Sequence, residues 1–415
     1  MSLANHRHSD FISITTPCEK DDAMHWATTH DAKENTMKIT VMNRIRILTF
    51  VLMGVFPAIC WSAQPEIRRD IHFPNLPGYK TLACDFHMHT VFSDGNVWPI
   101  VRVNETWRQG LDAIAIADHI EYQPHKSDIP IQYGRSYEVA ESAARSHNML
   151  LIRAAEITRD TPPGHFNAIF LNDVKPLVTP EFIDAIKAAN EQGAFVFWNH
   201  QAWKGEEKGQ WLDVHQMMFD KKWFQGMEVA NGDEYFPTAH QWCLEKNLTM
   251  LGNTDIHEPD LRKESTSQDH RTMTLVFVKE ATPAGIKEAL LAKRTIVWFK
   301  DQLIGREELL RPFFDACIKV SKPNTRSKTS MYVEVRNNCH ADICLEPTNL
   351  PPVPQPRLLV LPANSTALIR VPITDASKPV VVTCVARNFL IGPDKCLQVT
   401  LKVPNPPAPE KKKGK

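Results

Sequence analysis

The sequence has no excess of charge of either sign. Its 415 residues include 48 Lys and Arg and 48 Asp and Glu, so the formal net charge is zero. A general nucleic-acid binder needs a basic face that neutralises phosphates. We therefore expect no stable nucleic-acid partner, and DNA proofreading is disfavoured further because the chain has no polymerase-sized region.

The sequence also lacks a dinucleotide-binding fingerprint, because no GxGxxG follows the first predicted strand. This absence leaves nucleotide binding of the doubly wound type without support. The composition is otherwise that of a globular protein, with 43% hydrophobic and 23% charged residues. At about 100–200 residues per domain, the length allows two or three domains with a large core.

The sequence has no apolar run of the length that a good membrane span requires. Residues 47–60 (ILTFVLMGVFPAIC) follow the basic NRIR and precede WSAQ, which ends in small residues. A span needs about 20 residues, whereas this pattern is typical of a secretory signal peptide. We expect a signal peptide at 42–63, with an uncleaved anchor as the alternative.

If the protein is exported, the residues before the signal peptide are not part of the mature protein, and the C-terminal cysteines reach an oxidising environment. Residues 1–41 are polar and unpatterned, and we expect a non-native or disordered extension there, with the native start at Met37 or Met42. The mature protein would be periplasmic or secreted and would contact a membrane only transiently during export. Disulfides are then compatible with an even set of thiols near the C-terminus, namely Cys339, Cys344, Cys384 and Cys396. We expect the thiols earlier in the chain to be small buried residues; these are Cys84, Cys243 and Cys317.

Short apolar runs alternate with helical patterns between about residues 80 and 300, which is typical of an α/β fold with mostly parallel strands. The predicted strands are TLACDF, DAIAIAD, LLIRAAEI, FNAIFLN, AFVFWN, GMEVAN and TMLGNTD. The predicted helices are WPIVRVNETWRQG, SYEVAESAARSHN, TPEFIDAIKAANEQG and TPAGIKEALLAKR. In the third helix Thr179 is the expected N-cap and Pro180 the first helical residue. Seven strands with helices between most of them predict a barrel-like closure of residues 64–322 rather than an open sheet.

The pattern changes near residue 323, where helical periodicity ends and β-rich segments follow, separated by Pro and Asn turns. We expect a small β-sandwich-like domain at 323–404. The Pro- and Lys-rich tail at 405–415 is predicted to be disordered.

Six of the predicted strands end in polar side chains that suit metal binding. In a barrel of parallel strands, the loops at these ends meet at one mouth, where active sites lie. Because successive side chains point to opposite faces, His87 and His89 share a face and can bind one ion. The residues at the strand ends are His87, His89, Thr90 and Asp94; Asp118 and His119; Glu156 and His165; Asn199 and His200; Glu228 and Asn231; and Asp255 and His257.

Imidazole and carboxylate without thiolate suit zinc, manganese or iron. The set exceeds what one ion can use, so we expect two or three divalent ions, with a carboxylate such as Glu156 bridging a pair. Each residue also has a structural interpretation: Asp118 fits a cap of the next turn better than a ligand, and Glu228 fits a structural acid as well as a ligand. That interpretation would have to apply independently at five or six strand ends, so the metal cluster is favoured.

The segments HMHTVFSDG, IADH, AAEI with GHFNAIF, WNH and NTDIH together resemble the PHP (polymerase and histidinol phosphatase) superfamily. They occur in the family's order across about residues 80–300. The resemblance implies a distorted seven-stranded β/α (TIM-like) barrel and hydrolysis of phosphate esters at a site of two or three metals. The C-terminal β-rich part resembles, more loosely, an appendage of exported PHP phosphodiesterases.

The resemblance also implies three ion sites, and all nine of the family's positions are filled, which argues against an inactive member. His87, His89, Glu156 and Asp255 would hold the first ion; Glu156 would bridge to a second ion on His165 and His200; and Asp94, His119 and His257 would hold a third.

The expected reaction is hydrolysis of a small-molecule phosphate ester, of the diester type, by a hydroxide that bridges two cations. Glu156 and Arg159 are the predicted catalytic residues. The planar fork of Arg159 would contact a phosphate oxygen, although a solvated loop Arg is the alternative. The loops at 120–135 and 201–223 are expected to shape the pocket, and three aromatic residues could line its rim, namely Trp198, Trp203 and Tyr235.

The sequence leaves two other functions open. The same cluster could hydrolyse carbamates, carboxylic esters or amides, because a metal-activated hydroxide attacks any suitably polarised centre. The protein could instead be a non-catalytic metal- or carbohydrate-binding protein. The sequence does not name the substrate.

Overall fold

The computed structural model describes residues 66–262, 266–323, 325–326, 329–349, 358–373 and 380–404. The extension and signal peptide predicted within residues 1–63, and the tail predicted at 405–415, lie outside the described residues. Within the described ranges, no helix is both long enough and apolar enough to cross a membrane.

Strands and helices alternate through the first part of the described chain. The strands are β1 (Lys80–Asp85), β2 (Ala113–Ile116), β3 (Leu150–Ile157), β4 (Phe166–Ile169), β5 (Phe195–Trp198), β6 (Gly226–Asn231), β7 (Glu234–Tyr235), β8 (Thr249–Asn253), β9 (Met273–Val278), β10 (Thr295–Phe299) and β11 (Gln302–Gly305). The α-helices are α1 (Pro99–Arg108), α2 (Arg135–Ser146), α3 (Phe182–Glu191), α4 (Asp213–Asp220), α5 (Pro237–Glu245), α6 (Pro283–Leu291) and α7 (Glu307–Cys317). Two short 3₁₀ helices lie at Pro124–Ser127 and Lys175–Leu177.

Three of the strands are buried along their whole length because both of their faces are covered. Every residue of β2 (AIAI), β5 (FVFW) and β9 (MTLVFV) is buried. Helix α6 begins as predicted, with the Thr282 hydroxyl accepting a hydrogen bond from the amide of Gly285 and with proline at the first helical position. The start predicted for α3 is wrong. A turn from Leu177 to Thr179 delays the helix, and Glu181 occupies the N-cap position.

These strands lie in one large mixed sheet in the order β11-β10-β9-β1-β2-β3-β4-β5-β6-β7, with β8 beside β6, and the sheet continues beyond β11 into the C-terminal part. The predicted α/β class is confirmed, but the parallel arrangement is interrupted at β4, which runs antiparallel to β3 and β5. The loop 158–165 between β3 and β4 explains this, because a parallel pair needs a crossover of about a dozen residues or more. Strands β9, β10 and β11, which the sequence prediction missed, extend the sheet by antiparallel pairing.

The carboxyl ends of β1 and β8 meet directly beyond the two strands. One isolated parallel bridge joins Met88 to Ile256. On either side of it, the amide of His89 donates to the carbonyl of Ile256 at 3.1 Å and the amide of Asp255 donates to the carbonyl of His87 at 2.8 Å. The two His- and Asp-bearing segments at opposite ends of the predicted strand series are therefore hydrogen-bonded to each other.

In the described residues of the C-terminal part, the regular elements are all β-strands. They are β12 (Ile318–Val320), β13 (Thr325–Arg326), β14 (Ser330–Asn337), β15 (Ile343–Pro347), β16 (Leu359–Leu361), β17 (Thr366–Pro372), β18 (Val380–Gly392) and β19 (Lys395–Val403). A second sheet has the order β12-β14-β13, with β17 beside β14. Burial alternates along β14, where Met331, Val333 and Val335 are buried, as expected for a strand with one covered face. The other sheet of this part is continuous with the main sheet through the parallel pair β11–β18.

The cysteines of the described residues are all free, including the four that the sequence analysis gave as compatible with disulfides: Cys339, Cys344, Cys384 and Cys396. For two of the four, the strand register places no cysteine directly opposite: Cys344 lies opposite Val360 and Cys396 opposite Leu390. The expectation of buried thiols at Cys84, Cys243 and Cys317 is confirmed.

Candidate metal centre

The nine residues that the sequence predicts as metal ligands lie together at one edge of the sheet, where the parallel strands end and the antiparallel β4 begins. They fall into four overlapping groups whose ligand atoms lie within 4.8 Å of one another. The groups are His89, Asp94, His119 and His257; His87, Glu156 and His200; His87, His89 and Asp255; and His119, Glu156 and His165.

Three residues of the predicted first ion site, His87, His89 and Asp255, form one ligand group, whereas Glu156 groups with His87 and His200 instead. Nε2 of His87 lies 3.1 Å from Nε2 of His89, 3.2 Å from Oδ1 of Asp255 and 3.4 Å from Oε2 of Glu156. Four ligands at about 2.0–2.2 Å from a tetrahedral ion would be roughly 3.3 Å apart. Oε2 of Glu156 is buried without a hydrogen bond of normal geometry, and a bound cation would satisfy it. The residues therefore fit a divalent metal ion.

The two oxygens of Glu156 face different sets of imidazoles. Oε2 lies 2.8 Å from Nδ1 of His119 and 3.3 Å from Nε2 of His89. Oε1 lies 3.0 Å from Nδ1 of His165 and 3.6 Å from Nε2 of His200. This is the placement that a bridging carboxylate needs. His165 and His200 both face Oε1, but they belong to separate ligand groups rather than to the shared second site that the resemblance implies.

The predicted third site is built around Asp94. Its Oδ1 lies 3.2 Å from Nε2 of His257 and 3.7 Å from Nδ1 of His89, and its Oδ2 lies 3.4 Å from Nε2 of His119. Oδ1 is buried and has no hydrogen-bond partner of normal geometry. His89 therefore faces both the first and the third site, a sharing that the sequence did not indicate.

Unusual backbone angles at two ligands and a tight turn beside a third determine where these side chains lie. Asp255 holds a left-handed conformation with φ 53°, which Asp tolerates better than most residues, and His200 has φ 25°. Gly95, in the loop after β1, packs so tightly that a Cβ there would lie 2.5 Å from the carbonyl carbon of His89. A side chain at position 95 would thus displace the backbone that carries His89.

Burial and mutual attraction shift the protonation of the cluster. Burial alone would lower the pKa of His119, but the carboxylates of Glu156 and Asp94 raise it to about 10. Burial likewise opposes ionisation of Glu156, yet the neighbouring His119 and His87 hold its pKa well below the usual range. His89 differs, because burial and the nearby charge of His119 lower its pKa to about 4. The neighbouring charges thus favour an ionised Glu156 and a protonated His119, whose proton a metal must displace.

Glu228, whose role the sequence left open, and Asp118, which the sequence favoured as a cap, both position the ligands and lie outside the ligand groups. Oε1 of Glu228 lies 2.9 Å from Nδ1 of His87, and both side chains are fully buried. Asp118 accepts hydrogen bonds from the amide and hydroxyl of Thr90 and from the hydroxyl of Ser93. It therefore caps the turn after β1, whereas the sequence suggested the turn that follows Asp118 itself.

A buried arginine that the sequence interpretation missed joins the two ends of the site. Nε of Arg102 donates to the carbonyl of His89 at 2.8 Å, and Nη2 donates to the carbonyl of His257 at 2.5 Å. Nη1 pairs with Glu105 at 2.8 Å. On the helix that carries Arg102, Ile100 is exposed, while Arg102 and Glu105 are buried as an ion pair. An apolar-periodicity argument cannot find such a pair.

A cavity of about 640 Å³ opens in front of the cluster. The residues that line it outside the ligand set are Tyr122, Thr158, Arg159, Asp160, Trp203, Lys204, Asn231 and Glu234. Both predicted pocket loops contribute to it. Arg159 lies in the wall, where its Nη1 pairs with Glu121 and its Nη2 donates to the carbonyl of Thr179, so it is not a solvated loop side chain.

Of the three aromatic residues considered for the rim, only Trp203 lines the cavity. Trp198 is buried and stacks on His215 with ring centroids 4.0 Å apart. The hydroxyl of Tyr235 is hydrogen-bonded to Nδ1 of His240. Trp198 and Tyr235 therefore pack the interior, because each has a partner there.

A family model described as an Ig-like domain matches residues 318–402. No curated protein matches the chain. Among solved structures, a two-domain protein from Bacteroides vulgatus ATCC 8482, containing a predicted PHP-like metal-dependent phosphoesterase, is 42% identical. The match covers 82% of this chain and 100% of that one, with a TM-score of 0.76.

Two further structures are more distant. A candidate metal-dependent phosphoesterase from Bifidobacterium adolescentis ATCC 15703 is 15% identical, with coverage of 50% of this chain and 95% of that one and a TM-score of 0.37. A lesion-specific endonuclease from Pyrococcus furiosus is 16% identical, with coverage of 55% and 59% and a TM-score of 0.37. The identity and coverage of the Bacteroides vulgatus protein decide the assignment: the chain belongs to the PHP-like metal-dependent phosphoesterases, in a two-domain form with a C-terminal Ig-like domain.

Proposed function

We propose that the protein hydrolyses phosphate esters, preferentially diesters, with two or three divalent ions bound in the candidate metal centre. The observation that carries the proposal is the convergence of all nine predicted ligands into four overlapping groups beside an open cavity. Zinc, manganese or iron suit this donor set. In line with the signal-like segment at 42–63, we also propose that the protein is exported and acts on a small-molecule ester in the periplasm or outside the cell.

The ions would supply an activated water near neutral pH and would neutralise the phosphoryl oxygens. The chain's own residues would hold these ions and orient the side chains that bind them. The two oxygens of Glu156 would serve neighbouring ions, Glu228 fixes the ring of His87, and Arg102 fixes the backbone that carries His89 and His257. Arg159 is close enough to the cavity to contact a phosphate oxygen, but only if it loosens its pairing with Glu121.

The charges of the cavity wall support a diester over a monoester. Each basic side chain of the wall has an acidic partner: Arg159 pairs with Glu121, and Nζ of Lys204 lies 3.3 Å from Oδ1 of Asp160. Glu234 adds a further negative charge to the lining. A diester carries one negative charge and a monoester carries up to two near neutral pH. Because Arg159 and Lys204 are already paired with acids, the cavity wall favours the diester, which carries less negative charge than the monoester.

The test is metal content and turnover of purified, metal-loaded protein, with bis(p-nitrophenyl) phosphate and p-nitrophenyl phosphate as substrates. We expect turnover of the diester to exceed that of the monoester. His87→Ala and Asp255→Ala should each abolish both bound metal and turnover. His147→Ala is the matched control, because this histidine lies outside the four ligand groups, and it should keep both.

Full activity in both cluster variants would contradict the proposed site. Turnover of naphthyl acetate or a naphthyl carbamate, with none of either phosphate ester, would replace the proposal with an esterase or carbamate hydrolase. Stoichiometric metal without turnover of any ester would indicate a metal-binding protein.

A further inference from the structure

An exposed indole stands beside the candidate metal centre. The side chain of Trp203 is 44% exposed, whereas Trp198, in the same part of the fold, is 1% exposed. The ring centroid of Trp203 lies 5.4 Å from that of His165 and 5.5 Å from that of His200. Both histidines belong to candidate ligand groups, so a phosphoryl group at the centre would place its ester group within reach of the indole.

The cavity is larger than a phosphate group requires. Its volume of about 640 Å³ lies in the range of pockets that bind whole small molecules, about 300–1,000 Å³. A second exposed aromatic residue, Tyr122, lines it on the side of His119, with ring centroids 6.0 Å apart. The cavity thus has aromatic surface next to two different sets of candidate ligands, as a substrate with an organic group on each side of the phosphorus would need.

The charges around the Trp203 indole indicate whether the group that binds there is charged or neutral. Nζ of Lys204 lies 4.6 Å from the centroid of the Trp203 ring, and Asp160 neutralises this ammonium at 3.3 Å. The surface offered to a ligand is therefore aromatic rather than freely cationic. Aromatic rings pair with one another in offset or edge-to-face geometry with a gain beyond simple burial. An uncharged aromatic group fits this surface better than a second anionic group does.

We propose that the Trp203 indole is a subsite for an uncharged aromatic ester group of the substrate. The inference rests on the proposed function, because it places the phosphoryl group at the metal centre. It assigns to Trp203 a role in specificity: the residue selects esters with an aromatic group over esters with a small alkyl group.

The test compares the binding of phenylphosphonate and methylphosphonate to metal-loaded protein by isothermal titration calorimetry. Both ligands carry the same acidic head group, and neither can be hydrolysed. We expect the native protein to bind phenylphosphonate roughly 3- to 10-fold more tightly, as the strength of an aromatic pair suggests. Trp203→Ala should lose this preference, and Trp203→Phe should keep most of it.

Trp98→Ala is the matched control, because Trp98 is also 44% exposed but lies outside the cavity lining. It should keep the native preference. The inference is overturned if Trp203→Ala retains the aromatic preference, or if the native protein binds both phosphonates equally or binds neither. Circular dichroism of each variant identifies a folding defect; if Trp203→Ala does not fold, Trp203→Leu, which keeps bulk but not the ring, takes its place and should lose the preference.

Calorimetry needs no turnover, so the two proposals can fail separately. An aromatic preference that depends on Trp203, in a protein that hydrolyses no phosphate ester, would support the subsite and refute the proposed reaction. Hydrolysis of phosphodiesters with no effect of Trp203 on ligand preference would refute the subsite alone.

Discussion

Nδ1 of His87 lies 2.9 Å from Oε1 of Glu228, and water reaches neither side chain. Oε1 of Glu228 also accepts from the side-chain amide of Asn253, and Oε2 accepts from the backbone amide of His200 and from Asn231. The carboxylate therefore fixes the imidazole so that its Nε2 points toward Glu156 and Asp255. A carboxylate behind a metal-binding histidine sets its orientation and increases its basicity.

Glu228→Gln tests this relationship with little change of shape. The Gln side chain has an NH2 donor in place of one carboxylate oxygen. Every group that contacts Glu228 donates a hydrogen bond to it or can do so, so the new donor faces another donor. One hydrogen bond must therefore be lost or reversed. We expect metal affinity to fall about 10- to 100-fold, measured by competition with a chelator of known affinity. Glu234→Gln, an exposed wall residue, is the control, and an equal loss in both variants would contradict the role of Glu228.

Metal binding should release protons. The carboxylates of Asp255, Glu228 and Glu156 raise the pKa of His87 despite its burial, and the pKa of His119 is raised to about 10. Near pH 7 the metal-free cluster thus holds protons that a cation must displace. We expect metal affinity to increase between about pH 6 and pH 8, since both raised pKa values lie above the ordinary value of about 6.5. Calorimetry in two buffers of different ionisation enthalpy measures the release, and uptake or no exchange at pH 7 would contradict it.

Arg102 should be required both for stability and for the metal centre. Arg102→Ala would leave Glu105 buried and unpaired, which costs about 3–5 kcal/mol of unfolding free energy. Arg102→Lys keeps the charge but not the planar fork that reaches the carbonyls of His89 and His257. We therefore expect the Lys variant to fold with weakened metal binding. Urea unfolding and metal titration measure the two effects.

The control for Arg102 is a surface ion pair on another helix. Arg145 lies 3.4 Å from Glu141, and its side chain is 70% exposed. Arg145→Ala should change the unfolding free energy by no more than about 0.5 kcal/mol and leave metal binding intact. If Arg102→Lys binds metal as well as the Arg145 variant does, the positioning role is wrong.

The sequence predicted the central strands because each is an apolar run that ends in a polar residue. It did not predict the antiparallel extension through β9, β10 and β11, whose last member pairs with β18 through Leu303 and Phe389. No local pattern records a pairing between segments so far apart in the chain. Helix α7 was missed for a local reason, since Pro312 lies inside it and proline disfavours a helix interior.

The candidate ligands were predictable from their places at the ends of strands. The residues that orient these ligands were not predictable, because that role depends on which side chains face each other across the fold. Glu228 and Asp118 sit at strand ends just as the ligands do, and only contacts with His87 and with Thr90 distinguish them. Trp198 and Trp203 differ by five positions, yet one is buried and the other lines the cavity.

His240 should make the protein less stable in mild acid, independently of the metal centre. It is fully buried, Nδ1 is hydrogen-bonded to the hydroxyl of Tyr235, and Nε2 has no hydrogen-bond partner in the described structure. Burial, and then the charge of Arg306, lower its pKa to about 4. In the unfolded chain His240 binds a proton below about pH 6.5, whereas in the folded protein it binds one only below about pH 4. The free energy of unfolding therefore falls as the pH drops from about 6.5 to about 4.

The expected loss between pH 7 and pH 5 from His240 is about 2 kcal/mol, since each pKa unit corresponds to about 1.4 kcal/mol. Urea unfolding of metal-free protein at the two pH values measures it in the native chain and in His240→Gln. The variant should be less stable at pH 7, because Tyr235 loses its ring partner, but it should lose less stability on acidification. A residual slope is expected from His270, whose pKa burial also lowers to about 4. Equal slopes in the two proteins would show that His240 takes up its proton in the folded state as readily as in the unfolded chain.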